Sequence, residues 1–137
     1  MQQLVTYLNF DGNCRQAMQF YAKCLGVQLQ LTTFSDMPGD FPKEAKDRIM
    51  HARLAKGSDS ILMASDLMPG MPFHPGNNFS IMVPCDSVQE IDRLFGALGE
   101  QGKVRMPLGE TPWAARFGML TDQFGINWMF WMPATTV

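Results

Sequence analysis

The stretch Tyr7–Gly26, YLNFDGNCRQAMQFYAKCLG, combines the end of a strand, a tight turn and a helix. The segment LVTYLNF alternates as a strand does, and DGN forms a turn whose Asn13 is a predicted helix N-cap. Gly26 occupies the position of a helix-terminating glycine. Between them, apolar side chains recur at the spacing of one helix face: Ala17, Phe20, Tyr21, Cys24 and Leu25. The stretch therefore predicts a strand followed by an amphipathic helix.

Working outward from this stretch, the same order of elements occurs twice. VQLQLTTF alternates as a strand, and RIMHARL and SILMAS form a hairpin around AKGSD, so the first half is β-α-β-β-β. In the second half, NFSIMVP is a strand and Ser87 caps a helix with apolar residues at helical spacing. The strands KVRMPL, ARFGMLT and INWMFW follow, and the turn DQFG leads into the last of them.

Two such modules predict an α+β fold in a single domain over residues 1–137. The modules span about 3–66 and 76–132, and a connector rich in proline and glycine covers 67–75. A single module buries little apolar surface, so we expect the two sheets to pair, curling into cup shapes around a shared concave surface with the helices outside. Alternation assigns Thr6, Leu8 and Phe10 to one face of the first strand. The concave surface is the expected ligand site.

Composition and charge exclude several partner classes. The chain has 137 residues, a net charge of −2 and no cluster of Lys and Arg, which argues against nucleic acid or an anionic membrane as partner. Its apolar runs are far shorter than the ~20 residues of a membrane-spanning helix. The N-terminus lacks the pattern of a secretion signal. Three cysteines without C-x-x-C spacing favour a reduced, cytoplasmic setting.

The quoted stretch, IMHARLAKGSDSILMASD and TPWAARFGMLTDQFGINWM together resemble the PhnB-like family of the vicinal oxygen chelate superfamily. That superfamily also contains glyoxalase I, fosfomycin resistance proteins and extradiol dioxygenases. The resemblance extends from about Val5 to Met132 and implies glyoxalase-like paired βαβββ modules, often assembled as homodimers. Members of this branch are frequently labelled as demethylubiquinone methyltransferases. This chain has no glycine-rich loop after a first parallel strand that would indicate a nucleotide-type cofactor.

The resemblance also locates the metal-ligand positions of the superfamily. Its metal enzymes hold a divalent ion with His, Glu or Gln from four strands. Carried over one at a time, those positions fall at Thr6, at Met63 or Ala64, at Asn78 or Phe79, and at Met129. Their neighbours supply no carboxylate or imidazole either, and Zn, Mn and Ni bind through imidazole, carboxylate or thiolate. We therefore predict no metal ligands and no cofactor; a divalent metal with an atypical ligand set is the alternative.

His51 is the candidate catalytic residue, because imidazole exchanges protons near neutral pH. Its strand pairs with the one that ends at Asp66, which allows a His–carboxylate pair; a partly buried histidine bonded to a neighbour is the structural alternative. Arg116 beside Trp113 could hold a carboxylate or phosphate while the indole stacks on an apolar group. The alternatives are a surface arginine and a tryptophan of the core or the dimer interface. The predicted ligand-binding set is Thr6, Asp66, Trp113, Arg116, Met129 and Trp131.

Three function classes follow from these observations. The leading hypothesis is a homodimeric, metal-independent member of the superfamily that binds a small organic molecule in the concave cavity. The second is an enzyme, a lyase, isomerase or dioxygenase, with an atypical metal set or with His51 as acid or base. The third is a protein-interaction role in which the cavity is a filled core. The sequence does not decide whether the protein is an enzyme.

Overall fold

The computed structural model describes residues 1–134, so residues 135–137 of the predicted domain lie outside the described part. The first half contains β1 (Thr6–Phe10), α1 (Cys14–Leu25), β2 (Gln28–Thr33), β3 (Ile49–Lys56) and β4 (Asp59–Asp66). The second half contains β5 (Ile81–Pro84), α2 (Val88–Leu98), β6 (Lys103–Thr111), β7 (Ala114–Thr121) and β8 (Asn127–Pro133). The predicted α+β class and the repeated βαβββ order are confirmed.

The chain forms two compact units, Met1–His74 and the part from Pro75 onward. Each unit holds one curled, four-stranded mixed sheet, in the orders β1-β4-β3-β2 and β5-β8-β7-β6. The first and last strands of each unit pair in parallel, and the other neighbours are antiparallel. That the two units make one domain stays a prediction. Neither helix in the described part of the chain is long and apolar enough to cross a bilayer.

The two ends of α1 are fixed by different means. At its C-terminus Gly26 has φ +67°, and the Val27 amide donates to the Ala22 carbonyl at 3.1 Å, so the predicted glycine cap is confirmed. At its N-terminus Asn13 lies at the cap position, but its side chain makes no cap hydrogen bond. The buried stripe of the helix includes the predicted Ala17, Tyr21 and Cys24, together with Cys14 and Met18. Phe20 and Leu25 are only half-buried.

The start of α2 follows the prediction more closely. The Ser87 hydroxyl accepts a hydrogen bond from the Glu90 amide at 3.1 Å, so the predicted cap is confirmed. The helix packs on the second sheet, where Phe95 meets Phe130 edge-on with ring centroids 5.2 Å apart. A Cβ added at Gly118 would lie 2.9 Å from the Phe95 ring, so the absence of a side chain there allows this close packing.

The DQFG turn before β8 is organised by a buried carboxylate. Asp122 accepts hydrogen bonds from the amides of Phe124 at 2.8 Å and Ile126 at 3.0 Å, and from the Trp128 indole at 2.8 Å. Gly125 in the same turn has φ +85°, a conformation that glycine adopts at low cost. The predicted turn is confirmed, with Asp122 joining it to the last strand.

Two edge strands are shorter than the alternation predicts. β1 begins at Thr6, after an exposed Leu4, and β5 begins only at Ile81. Asn78 and Phe79 therefore precede the strand that was expected to contain them. Each of these strands has one neighbour, and its pairing starts at Thr6 opposite Leu62 in β1 and at Ile81 opposite Trp128 in β5.

Candidate functional site

Each sheet has one face packed on its helix and one face turned away from it, which we name the open face. On the first sheet Leu8, Phe10, Ala52, Leu54 and Leu62 are buried on the helix side. The open face carries the alternate residues, among them Tyr7, Gln30, His51, Arg53, Met63 and Ser65. Most of these are polar, so the open face of the first sheet is predominantly hydrophilic.

His51 lies on this open face and contacts Tyr7. The Tyr7 hydroxyl and the His51 Nδ1 are 3.3 Å apart, and the two rings stack with centroids 5.9 Å apart. Because β4 lies between their strands, Tyr7 reaches across one strand to meet His51. Because Thr6 was the expected ligand position on the first strand, alternation predicted that Tyr7 would lie on the opposite face. The sequence did contain a signal for this arrangement. Leu8 and Phe10 are apolar and had to be covered by the helix, which leaves Tyr7 on the other face.

Thr6 is placed differently from expectation. It pairs with the buried Leu62, and residues directly opposite in a sheet share a face. Thr6 therefore lies on the helix side of the sheet with Leu8 and Phe10. The first strand presents Tyr7 on the open face in its place.

Asp66 also lies on the helix side, where its carboxylate has a structural role. It is 5% exposed and accepts hydrogen bonds from three backbone amides: Gly12 at 2.8 Å, Cys14 at 3.0 Å and Ile49 at 2.8 Å. Cys14 is the first residue of α1 and Gly12 lies in the turn before it, so Asp66 supplies the cap that the Asn13 side chain does not. The expected His51–Asp66 pair is corrected, since strand alternation points the two side chains to opposite faces.

The open face of the second sheet is apolar. Met129 pairs with Met82 and Met119, and Trp131 pairs with Phe117, which places these side chains on the side away from α2. Met106 on β6 pairs with Met119 and extends the row. Thioether side chains are flexible and polarizable, so this surface can adapt to apolar groups of different shape. Met129 and Trp131, which the sequence analysis selected, lie together on it.

Trp113 lies at the edge of this apolar surface. Its ring meets Phe117 edge-on with centroids 5.9 Å apart, and the residue is 60% exposed. Within the unit that begins at Pro75, Trp113 is therefore a surface residue and not part of the core.

The expectation that Arg116 binds ligand is wrong, because its side chain faces α2. It forms an ion pair with Asp92 of α2, and its Nε atom is buried without a hydrogen-bond partner in the described structure. Its strand partner Met132 leads to the same conclusion, since Arg116 and Phe117 alternate between the two faces. Arg116 and Trp113 thus do not form the carboxylate clamp expected from their spacing.

The donor atoms on the open faces do not fit a divalent metal. The strands that would supply ligands present Tyr7, Met63, Met82 and Met129 there. Among residues 1–134, no group of three or more His, Cys, Asp and Glu side chains is arranged to hold an ion. Zinc, manganese and nickel sites are built from imidazole, carboxylate and thiolate groups, so this donor set matches none of them.

The three cysteines are free thiols and are buried. Burial raises the pKa of the Cys14 thiol to about 12, and the nearby Asp66 charge adds to the shift. Burial also raises the pKa of Cys85 to about 11, with a further contribution from Glu90. Thiolates are the nucleophilic form of cysteine, so neither thiol is activated for catalysis.

A surface groove lies at the start of β6, and it was not predicted from the sequence. It has a volume of about 620 Å³ and is lined by residues that include Gln101, Lys103, Arg105, Thr121 and Gln123. Gly102, Val104 and Asp122 complete its lining, so polar and apolar atoms both contribute to its walls. Groove residues at these positions have no sequence signal beyond ordinary surface polarity.

Comparison with known proteins identifies the class. Protein YjdN of Escherichia coli (strain K12) is 32% identical over 140 residues, covering 92% of each chain. The structure of protein PA1353 from Pseudomonas aeruginosa is 48% identical with TM-score 0.88, covering 97% of this chain and 98% of its own. The PhnB protein from Bacillus cereus is 28% identical with TM-score 0.71, covering 96% and 99%.

More distant structures share the fold. A glyoxylase/bleomycin resistance protein/dioxygenase domain from Frankia sp. EAN1pec has TM-score 0.68 at 13% identity, covering 98% of both chains. These likenesses define a glyoxalase-like member of the vicinal oxygen chelate superfamily. Residues 2–130 match the PhnB-like family described as 3-demethylubiquinone-9 3-methyltransferase, and the chain belongs to that family.

Proposed function

We propose that this PhnB-like chain binds a small, partly apolar organic molecule on the apolar open face of its second sheet, without a divalent metal. The observation that carries the proposal is the methionine and aromatic surface around Met129 and Trp131. Methionines at binding surfaces accommodate varied apolar shapes, and aromatic rings provide large contact areas. We further propose that the functional form is a cytoplasmic homodimer.

We expect no bound metal because of the donor atoms on the open faces. The phenol of Tyr7 and the thioethers of Met63, Met82 and Met129 hold Zn, Mn or Ni far more weakly than imidazole or carboxylate. Purified protein should therefore retain less than stoichiometric Zn, Ni or Mn after dialysis, measured by elemental analysis. A stoichiometric ion that also raises the melting temperature would refute the metal-independent proposal and favour the atypical metal set.

Ligand binding on the second sheet can be tested through its methionines. With 13C-labelled methionine methyl groups, a screen of small aromatic compounds should shift the Met129 and Met119 signals. The exposed Met37 of the first unit should not move. Met129→Ala should weaken any binder found and Met37→Ala should not; equal effects of the two substitutions would contradict the proposed site.

A second candidate function is catalysis with His51 as acid or base, in a lyase, isomerase or dioxygenase reaction. The contact between Tyr7 and His51 favours it, since a hydroxyl hydrogen-bonded to Nδ1 orients the imidazole ring. His51→Ala should abolish a turnover found by substrate screening, and Tyr7→Phe should reduce it. Turnover that survives His51→Ala would remove this role from His51.

The methyl-transfer activity in the family description is not what we propose. In nucleotide-type cofactor sites, a glycine-rich loop and a helix N-terminus receive the cofactor. Here the loop after β1 contains the single glycine Gly12, and the Asp66 carboxylate occupies the amides of Gly12 and Cys14. S-adenosylmethionine should not raise the melting temperature; a saturable increase would contradict this interpretation.

A further inference from the structure

Arg53 is a cation on the open face of the first sheet without an acidic partner. Its Nε donates to the Ser60 hydroxyl, and its two terminal nitrogens donate to the Ser58 carbonyl at 3.2 Å and the Gln30 side-chain oxygen at 3.4 Å. All three acceptors are neutral. Within residues 1–134, no carboxylate lies within ion-pair distance of Arg53, whereas Arg48 and Arg116 each have an aspartate.

The neighbours of Arg53 add hydrogen-bond donors to the same face. His51 is two residues away on β3, so its side chain emerges on the same side, about 7 Å along the strand. The Tyr7 hydroxyl lies beside the His51 ring. A half-exposed guanidinium, a phenol and an imidazole therefore point to one side of one sheet.

We infer that the open face of the first sheet binds an anionic group, the carboxylate or phosphate of a small organic molecule, with Arg53 as its main contact. The guanidinium has five N–H groups, and three are used by the neutral acceptors, which leaves donors for an oxyanion. Planar guanidinium binds carboxylate and phosphate through paired hydrogen bonds. The hydrogen-bonded Tyr7–His51 pair supplies one further donor on the same face. The role expected for Arg116 thus belongs to Arg53, because Arg116 is neutralised by Asp92.

The inference goes beyond the proposed function, since it adds a binding site on the first sheet. The ligands of this site are organic acids and phosphate esters. Neutral or cationic molecules of the same shape would leave the Arg53 charge uncompensated.

The test uses matched probes that differ only in charge. The 15N-labelled full chain is titrated with benzoate, phenyl phosphate and the neutral benzamide, with the Arg53 Nε–H signal as the readout. At least one anion should bind saturably and shift this signal, and benzamide should bind roughly tenfold more weakly, because bonds between charged groups are the stronger ones. Comparison of benzoate with phenyl phosphate identifies which oxyanion is preferred.

Arg53→Gln should remove the preference for anions, so that benzoate and benzamide bind equally. Arg105→Gln, which removes the same charge from an exposed site in the second unit, should leave the preference intact. If Arg53→Gln folds poorly, Arg53→Lys is the second variant. It keeps the charge but loses the paired geometry, so it should retain part of the preference for anions.

Three results would overturn the inference. They are saturable binding of neither anion below about 10 mM, equal binding of benzoate and benzamide by the unaltered chain, and equal loss of anion affinity in Arg53→Gln and Arg105→Gln. Equal binding of benzoate and benzamide leaves the proposed binding function standing. Retention of a stoichiometric metal ion contradicts the proposed function and leaves the charge preference measurable.

Discussion

Replacing Asp66 by asparagine tests whether this carboxylate is structural. The side chain is 5% exposed and accepts three amide hydrogen bonds, two on Oδ1 from Gly12 and Cys14 and one on Oδ2 from Ile49. Asparagine has one oxygen and one NH₂ group. In the better orientation of the asparagine, its oxygen keeps the hydrogen bonds from the Gly12 and Cys14 amides. Its NH₂ group then faces the Ile49 amide, so that two donors meet.

The expected loss can be worked from these bonds. A hydrogen bond to a charged group contributes about 1.5–3 kcal/mol, and the Ile49 bond is lost entirely. The two remaining bonds change from charged to neutral and weaken by about half. Together these losses predict a decrease of about 3–6 kcal/mol in the free energy of unfolding, a large share of the roughly 5–15 kcal/mol typical of a domain.

Urea denaturation followed by circular dichroism measures this decrease directly. Asp11→Asn is the matched control, because it removes the same charge from an exposed ion pair with Arg48 and should cost at most about 1 kcal/mol. A loss below about 1 kcal/mol in Asp66→Asn would refute the structural role. If Asp66→Asn were this stable and still lost ligand binding, Asp66 would be a ligand-binding residue.

Three further outcomes follow from the packing. Because the pKa values of Cys14 and Cys85 are raised to about 12 and about 11, the folded state keeps thiol protons that the unfolded state releases. Stability should therefore fall as pH rises above about 9, by up to roughly 1.4 kcal/mol per pH unit for each thiol, and the Cys14→Ala/Cys85→Ala variant should show a flatter profile. Gly118→Ala should lower the free energy of unfolding by about 1–3 kcal/mol through overpacking, whereas Gly96→Ala, in open space on α2, should raise it by about 0.5–1 kcal/mol. Ser87→Ala should cost about 1 kcal/mol in the same urea experiment, and a cost near zero would contradict its capping role.

The order of elements was predictable because its signals are local. The period of apolar residues along α1 and α2 and the alternation in the strands identify both modules. Gly26 and Ser87 mark helix ends through conformations and hydrogen bonds that involve only adjacent residues. The late start of β5 was not predictable, since it depends on where pairing with the distant strand β8 begins.

The site was only partly predictable because face and partner depend on distant residues. Met129 and Trp131 were placed on the open face by alternation alone. Thr6 belongs to the other face, since it shares a side with the apolar residues that α1 covers. Arg116 is paired with Asp92 on a helix, a partner that no local pattern specifies.

The structural role of Asp66 was also not predictable from the sequence. A carboxylate at a strand end resembles a catalytic group in sequence, yet its three partners are backbone amides, two of them more than fifty positions earlier. Backbone partners of this kind have no residue-type signature. Only the fold distinguishes such a residue from a binding-site acid.

The parallel pairing of β1 with β4 has a consequence for how the chain is made. Thr6 pairs with Leu62, so the first strand leaves the ribosome well before its only neighbour is synthesised. At about 5–20 residues per second this delay is several seconds. During that time the apolar side of α1 has no completed sheet to cover it, which is the condition under which chaperones engage nascent chains. We therefore expect the first unit to fold in one late, cooperative step when β4 emerges, and the second unit, with β5 waiting for β8, to repeat that delay.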